Sequence, residues 1–186
     1  LQSVQFAFHQ PFGAITMKML RRRFLAGLAL SAVSVLASPA RAGALTDYAE
    51  NKIVDAVIRA QTLGAPATWY IGLDTAACGE TGGGTEVTGG SYARVAVTAS
   101  MANFAGTQSA GSTTASTGTS GTTSNNIVVT YATPTAGWGT VVSMRWWDLS
   151  TGGNAWICVP LGVSKTINIG DNVTFPAAAL TFQLDN

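Results

Sequence analysis

The chain holds one histidine, His9, and two cysteines, Cys78 and Cys158. That leaves little material for the common forms of side-chain catalysis. A Ser-His-Asp or Cys-His centre needs an imidazole beside its nucleophile, and zinc is most often held by the same ring. His9 precedes the first methionine, Met17. The cysteines lie eighty residues apart without metal-ligand spacing. They could pair across a fold in an oxidising compartment or serve as two small buried hydrophobes. Asp74, Glu80, Glu86, Asp148 and Asp171 all fall at expected strand ends or turns, where acidic residues are ordinary. No spacing among them demands acid–base chemistry or a calcium ion. The chain therefore reads as non-enzymatic, with no catalytic residue, cofactor or metal expected.

The stretch TGGGTEVTGGSYARVAV (81–97) carries five glycines in ten residues. A phosphate-cradling loop needs a lysine at the end of its glycine run and a helix behind it. Here Gly84 is followed by Thr-Glu-Val, and an alternating apolar run comes next. The glycines are expected to take positive φ and form turns on either side of a short paired segment at Glu86 and Val87.

Trp146 and Trp147 are adjacent, so on a strand they point to opposite faces. Val142, Met144 and Trp146 read as the core set, which leaves Arg145 and Trp147 outside. An outward Trp beside an Arg could stack on a sugar or on another aromatic surface, and Tyr70, on the Thr68 and Gly72 side of its own strand, is a further candidate surface-binding aromatic. The alternative is that Trp147 is covered by the helix or by another subunit.

These residues need elements to position them. ALTDYAENKIVDAVIRAQTLG (44–64) is the one helical signal. Leu45, Tyr48, Ala49, Ile53, Ala56, Val57 and Ala60 make one apolar face. Thr46 or Asp47 is placed to cap its start, and Gly64 followed by Pro66 to end it. Val54 and Ile58 fall on the opposite face, where they are either tolerated surface aliphatics or a subunit contact. From Pro66 the period changes to two. ATWYIGLD, SYARVAVTA, NIVVTYA, GTVVSMRWWDL, NAWICVPL, KTINI, NVTF and AALTFQL read as short strands. STGGNA and NIGDNV read as turns between them. The Ser/Thr/Gly-rich run 105–126 reads as a flexible loop or hairpin tip. The expected fold is mainly β: a jelly-roll-type antiparallel β-sandwich at 65–186, preceded by one amphipathic helix at 43–64.

Residues 1–42 read as an upstream extension and a secretory signal, with Met17 or Met19 as the expected start. The signal has a basic n-region (Lys18, Arg21, Arg22, Arg23), an apolar stretch at 24–37 and a cleavage site Ala40-Arg41-Ala42. RRRFL also fits the twin-arginine export pattern. The apolar stretch is too short for a membrane span of about 20 residues. A translation start further downstream is the alternative. The remaining chain, from Gly43, carries five basic and nine acidic side chains, a formal charge of −4. Such a domain lacks the basic footprint of a nucleic-acid binder.

Five segments in this order carry a resemblance: LTDYAENKIVDAV, APATWYIGL, GGGTEVTGGSYARVAV, AGWGTVVSMRWWDLSTGGN and LGVSKTINIGDNVTFPAAALTF. Together they resemble the small tail-fibre-like structural proteins of tailed bacteriophages, over about 44–184. The resemblance implies a helix leading into a compact β-sandwich that assembles as a homo-oligomer on the virion beside other phage structural proteins, on tail or capsid. The first reading is therefore a virion component that acts by assembly, with a host-surface glycan as a candidate further partner. It brings no catalytic residues. Two features depart from it, the long 105–126 loop and the export signal. The signal points either to a misread start or to a prophage-derived domain adopted for export. A second reading is therefore an exported carbohydrate-binding or adhesion module in the periplasm or outside the cell.

Overall fold

A computed structural model describes residues 44–184. The leader expected at 1–42 lies outside the described residues. In chain order the elements are β1 (Ala44–Leu45), α1 (Asp47–Ile58), β2 (Thr68–Ala76), β3 (Thr85–Glu86), β4 (Val95–Thr98) and β5 (Thr122–Ser124). They continue as β6 (Val129–Thr130), β7 (Gly139–Trp147), β8 (Ala155–Ile167), β9 (Thr174–Phe175) and β10 (Thr181–Gln183). The fold is mainly β with one helix near the start, and every strand pairing is antiparallel among the described residues.

The helix begins where Thr46 accepts a hydrogen bond from the Ala49 N–H, and Asp47 and Glu50 set negative charge against the positive end of its dipole. It stops at Ile58 rather than near Gly64. Ala60 takes a left-handed φ of 57°, and the Gln61 N–H turns back to the Asp55 carbonyl. A non-glycine residue therefore ends the helix, which the expectation of a glycine stop overlooked.

The central sheet has the order β1-β8-β7-β2, and β3 and β4 both pair with the remaining edge of β2. β4 pairs along Thr68 to Ile71 of β2, and β3 along Asp74 to Ala76. Two tyrosine hydroxyls bond the β2 backbone near the interval. The Leu73 N–H donates to the Tyr92 hydroxyl at 2.7 Å, and the Tyr131 hydroxyl donates to the Ile71 carbonyl at 3.0 Å. The glycine stretch builds this edge. Gly82, Gly84, Gly89 and Gly90 have positive φ on either side of β3, and the Val87 N–H donates to the Leu73 carbonyl. Gly90 has a second duty, because a Cβ there would lie 2.8 Å from the Ala136 carbonyl oxygen and 2.9 Å from Trp138 Nε1.

Two small ladders, β5–β10 and β6–β9, complete the β structure. Their residues Val129 and Phe175 share one apolar core with Ile71, Leu73, Val97, Met144 and Trp146 of the central sheet, and the half-buried Phe182 packs against it. In β7 the core contains Val141 as well as Met144 and Trp146, while Val142 is only half-buried. The pairing with β8 shifts register between Val141 and Ser143. A bulge resets the alternation there, so strict period-two counting misplaces Val142.

Candidate functional site

The face of the central sheet opposite the core carries Asp74 on β2 and Arg145 on β7. Arg145 was expected to stand outside beside Trp147; it is instead buried, at 6% exposure, and Asp74 is fully buried. Alternation places Arg145 on the face away from Trp146, as read from the sequence, but the loop at 77–84 covers that face. Arg145 grips both Asp74 carboxylate oxygens and donates to the Gly82 carbonyl at 2.8 Å. Burial raises the Asp74 carboxyl above its ordinary range, with the Arg145 hydrogen bonds and charge pulling the other way.

A disulfide between Cys78 and Cys158 fastens the covering loop to β8, with a Cα–Cα distance of 5.9 Å. The Cys78 N–H donates to Ser143 Oγ, and Ser143 donates to the Ala76 carbonyl. The same loop holds the helix, since the Asp47 N–H donates to the Glu80 carbonyl at 2.9 Å.

A second ion pair lies beside the first. Arg94 meets Glu86 through two hydrogen bonds of 2.7 Å and also donates to the Leu149 and Gly152 carbonyls of the β7–β8 hairpin. The Arg94 guanidinium carbon is 3.8 Å from the Trp147 ring centroid, and that of Arg145 is 4.4 Å away. Both guanidiniums therefore lie within cation–π range of the Trp147 ring. Tyr70 is half-buried and sits opposite Trp147 in the β2–β7 register. Gly72, next along, allows this crowding, because a Cβ there would lie 2.8 Å from Glu86 Oε1 and 3.2 Å from Trp147 Nε1. Burial pushes the Tyr92 and Tyr131 hydroxyls well above the ordinary tyrosine range.

The helix presents a different kind of surface. Ala49 is its one fully buried residue, Tyr48 packs edge-on to Trp156 at 5.4 Å, and Thr46 donates to the Ala155 carbonyl. Beyond the first turns the helix is more open. Val54, Val57 and Ile58 are 52%, 74% and 77% exposed. Val57 was counted on the inner face with Ile53 and Ala56; it stands outside and joins Val54 and Ile58 in a stripe at i, i+3 and i+4.

Sequence reasoning missed a third place. A cleft of about 360 Å³ opens at the margin of the core, bordered by the rings of Trp69, Phe104, Trp146 and Phe182. Its rim includes Ser100 and Ser116, and no charged residue lines it. The loop at 105–126 forms one wall through an internal network. The Gln108 amide reaches Ser112 Oγ and Thr114 Oγ1, and Asn126 reaches the carbonyls of Met101 and Ser112. The rings come from four distant segments, so no local motif announces the cleft.

Among the described residues no group of three or more His, Cys, Asp or Glu side chains could hold a metal ion. No helix there is long and apolar enough to cross a membrane. No curated protein matches the chain. A family profile described as podophage GP4 fiber I protein gp80 matches residues 44–183. That range takes in the helix, both ion pairs, the disulfide and the cleft, and on it the chain belongs to the podophage GP4 fiber I protein gp80 family.

Proposed function

We propose that this chain is a non-enzymatic fibre-type subunit of a phage virion, which self-assembles through its helix and presents its β body to a host surface. Family membership supports a structural role on the particle, in association with other virion proteins. The observation that carries self-assembly is the stripe of Val54, Val57 and Ile58, three aliphatic side chains left more than half exposed on one helix. Burying such a side chain against a second copy is worth about 1.5–3 kcal/mol. Several copies at fixed spacing then turn weak surface contacts into strong attachment.

Sedimentation of the protein with and without Val54→Asp/Ile58→Asp tests the assembly step. The variant is expected to sediment as a single folded chain while the parent forms a larger species. A parent that is already a monomer, or a variant of unchanged size, contradicts it.

The second reading, an exported carbohydrate-binding or adhesion module, is favoured by the Cys78–Cys158 disulfide. Such bonds persist in oxidising compartments, in keeping with the secretory pattern at 1–42. N-terminal sequencing of the expressed protein is expected to begin at Gly43 on that reading. An intact Lys18–Arg23 region would contradict export.

A further inference from the structure

We infer that the aromatic cleft is a binding site for one uncharged hexopyranose ring, the terminal unit of a neutral surface glycan. Its volume, about 360 Å³, lies in the lower part of the range for small-molecule sites, about 300–1,000 Å³. Trp69 and Phe104 are half-buried and pack on Trp146 at centroid distances of 6.1 and 5.4 Å. The part of each ring left open offers the flat apolar surface on which the C–H face of a sugar stacks.

The rim supplies the polar half. Ser100 accepts from the Asn103 N–H, and Ser116 accepts from the Thr107 N–H. Neither hydroxyl donates to another group among the described residues, so each keeps a hydrogen for a ligand oxygen.

Charge selects among sugars. No lining residue is charged, and a uronate, phosphate or ammonium group in this cleft would lose water without gaining a counter-ion. The charged side chains of the opposite face offer no such partner. Arg145 and Arg94 are spent on Asp74, Glu86 and backbone carbonyls.

For its biological source the inference rests on the host-contact part of the proposed function; it does not rest on self-assembly. The test is saturation-transfer NMR and tryptophan fluorescence with methyl glucoside, methyl galactoside, methyl mannoside and methyl rhamnoside, each against glucuronate and glucosamine. At least one neutral glycoside is expected to bind in the millimolar range, and the two charged sugars are expected not to bind. Ala115→Arg, at an exposed wall position, is expected to abolish binding. Ser100→Ala/Ser116→Ala is expected to weaken it roughly tenfold. Binding is expected to survive in Val54→Asp/Ile58→Asp. No transfer to any neutral glycoside, equal binding of the charged sugars, or binding unmoved by a folded Ala115→Arg would each overturn the inference. An unchanged oligomer with binding retained would count against the assembly reading alone.

Discussion

On one face of the central sheet, Asp74, Arg145, Glu86 and Arg94 gather around Trp147 beneath a loop tied down by a disulfide. At the margin of the other face, four aromatic rings border a cleft whose lining carries no charge. The first region has the residue types usually associated with binding, yet its charged groups are engaged within the molecule. Arg145 spends three donors on Asp74 and Gly82, and Arg94 spends its own on Glu86 and the β7–β8 hairpin. It acts as a clasp that joins the 77–84 loop, the hairpin and the sheet. The second region has plain residues, but it is open and keeps unspent hydroxyls. Capacity to bind follows from what remains unsatisfied, and residue type alone does not reveal that.

The contrast can be broken most severely at the clasp. Arg145→Ala leaves Asp74 buried without its partner, and is expected to cost about 3–5 kcal/mol in denaturant unfolding. Asp74→Leu/Arg145→Met removes both charges and is expected to recover a substantial part of that loss. A small effect of the single change would mean that water reaches the pair. Next in size is the disulfide. Cys78→Ser/Cys158→Ser is expected to cost about 2–4 kcal/mol, mostly by freeing a long loop in the unfolded chain. The proposed assembly through the helix stripe is expected to persist where the fold survives.

A smaller effect is expected at the tyrosines. Tyr131 and Tyr92 have their folded-state pKa raised by burial. The unfolded chain therefore loses those protons first, so their contribution is complete below about pH 10 and declines as pH rises above it. Absorbance titration should show both phenols ionising only as the fold is lost. Tyr131→Phe is expected to cost about 1–2 kcal/mol at neutral pH, through the bond to the Ile71 carbonyl, and to flatten the alkaline decline. Ordinary ionisation of all four tyrosines in the folded protein would contradict this.

Much of the scaffold was legible in the residues. Thr46 and Asp47 bracketed the helix start, period-two runs marked the principal strands, and Gly152 and Gly153 marked the hairpin between β7 and β8. The glycines of 81–97 announced turns around a short strand. What stayed hidden depended on contacts distant in sequence. Alternation gave the side of the sheet on which Arg145 lies, but it could not show that residues 77–84 would cover it. The bulge that separates Val141 from Val142 depends on the partner strand. Val57 looked inward by period, although the helix's one fully buried residue, Ala49, lies in its first turn. The cleft needed Trp69, Phe104, Trp146 and Phe182 to converge.

Labelling of intact particles tests the structural role on the virion most directly. Antibody raised against residues 44–184 would be applied to purified phage carrying this reading frame and viewed by electron microscopy. A fibre-type subunit is expected to give label at fixed positions on each particle, with the protein recovered in constant proportion to the major capsid protein. Unlabelled particles, with the protein found only in the periplasm or culture fluid, would contradict that role.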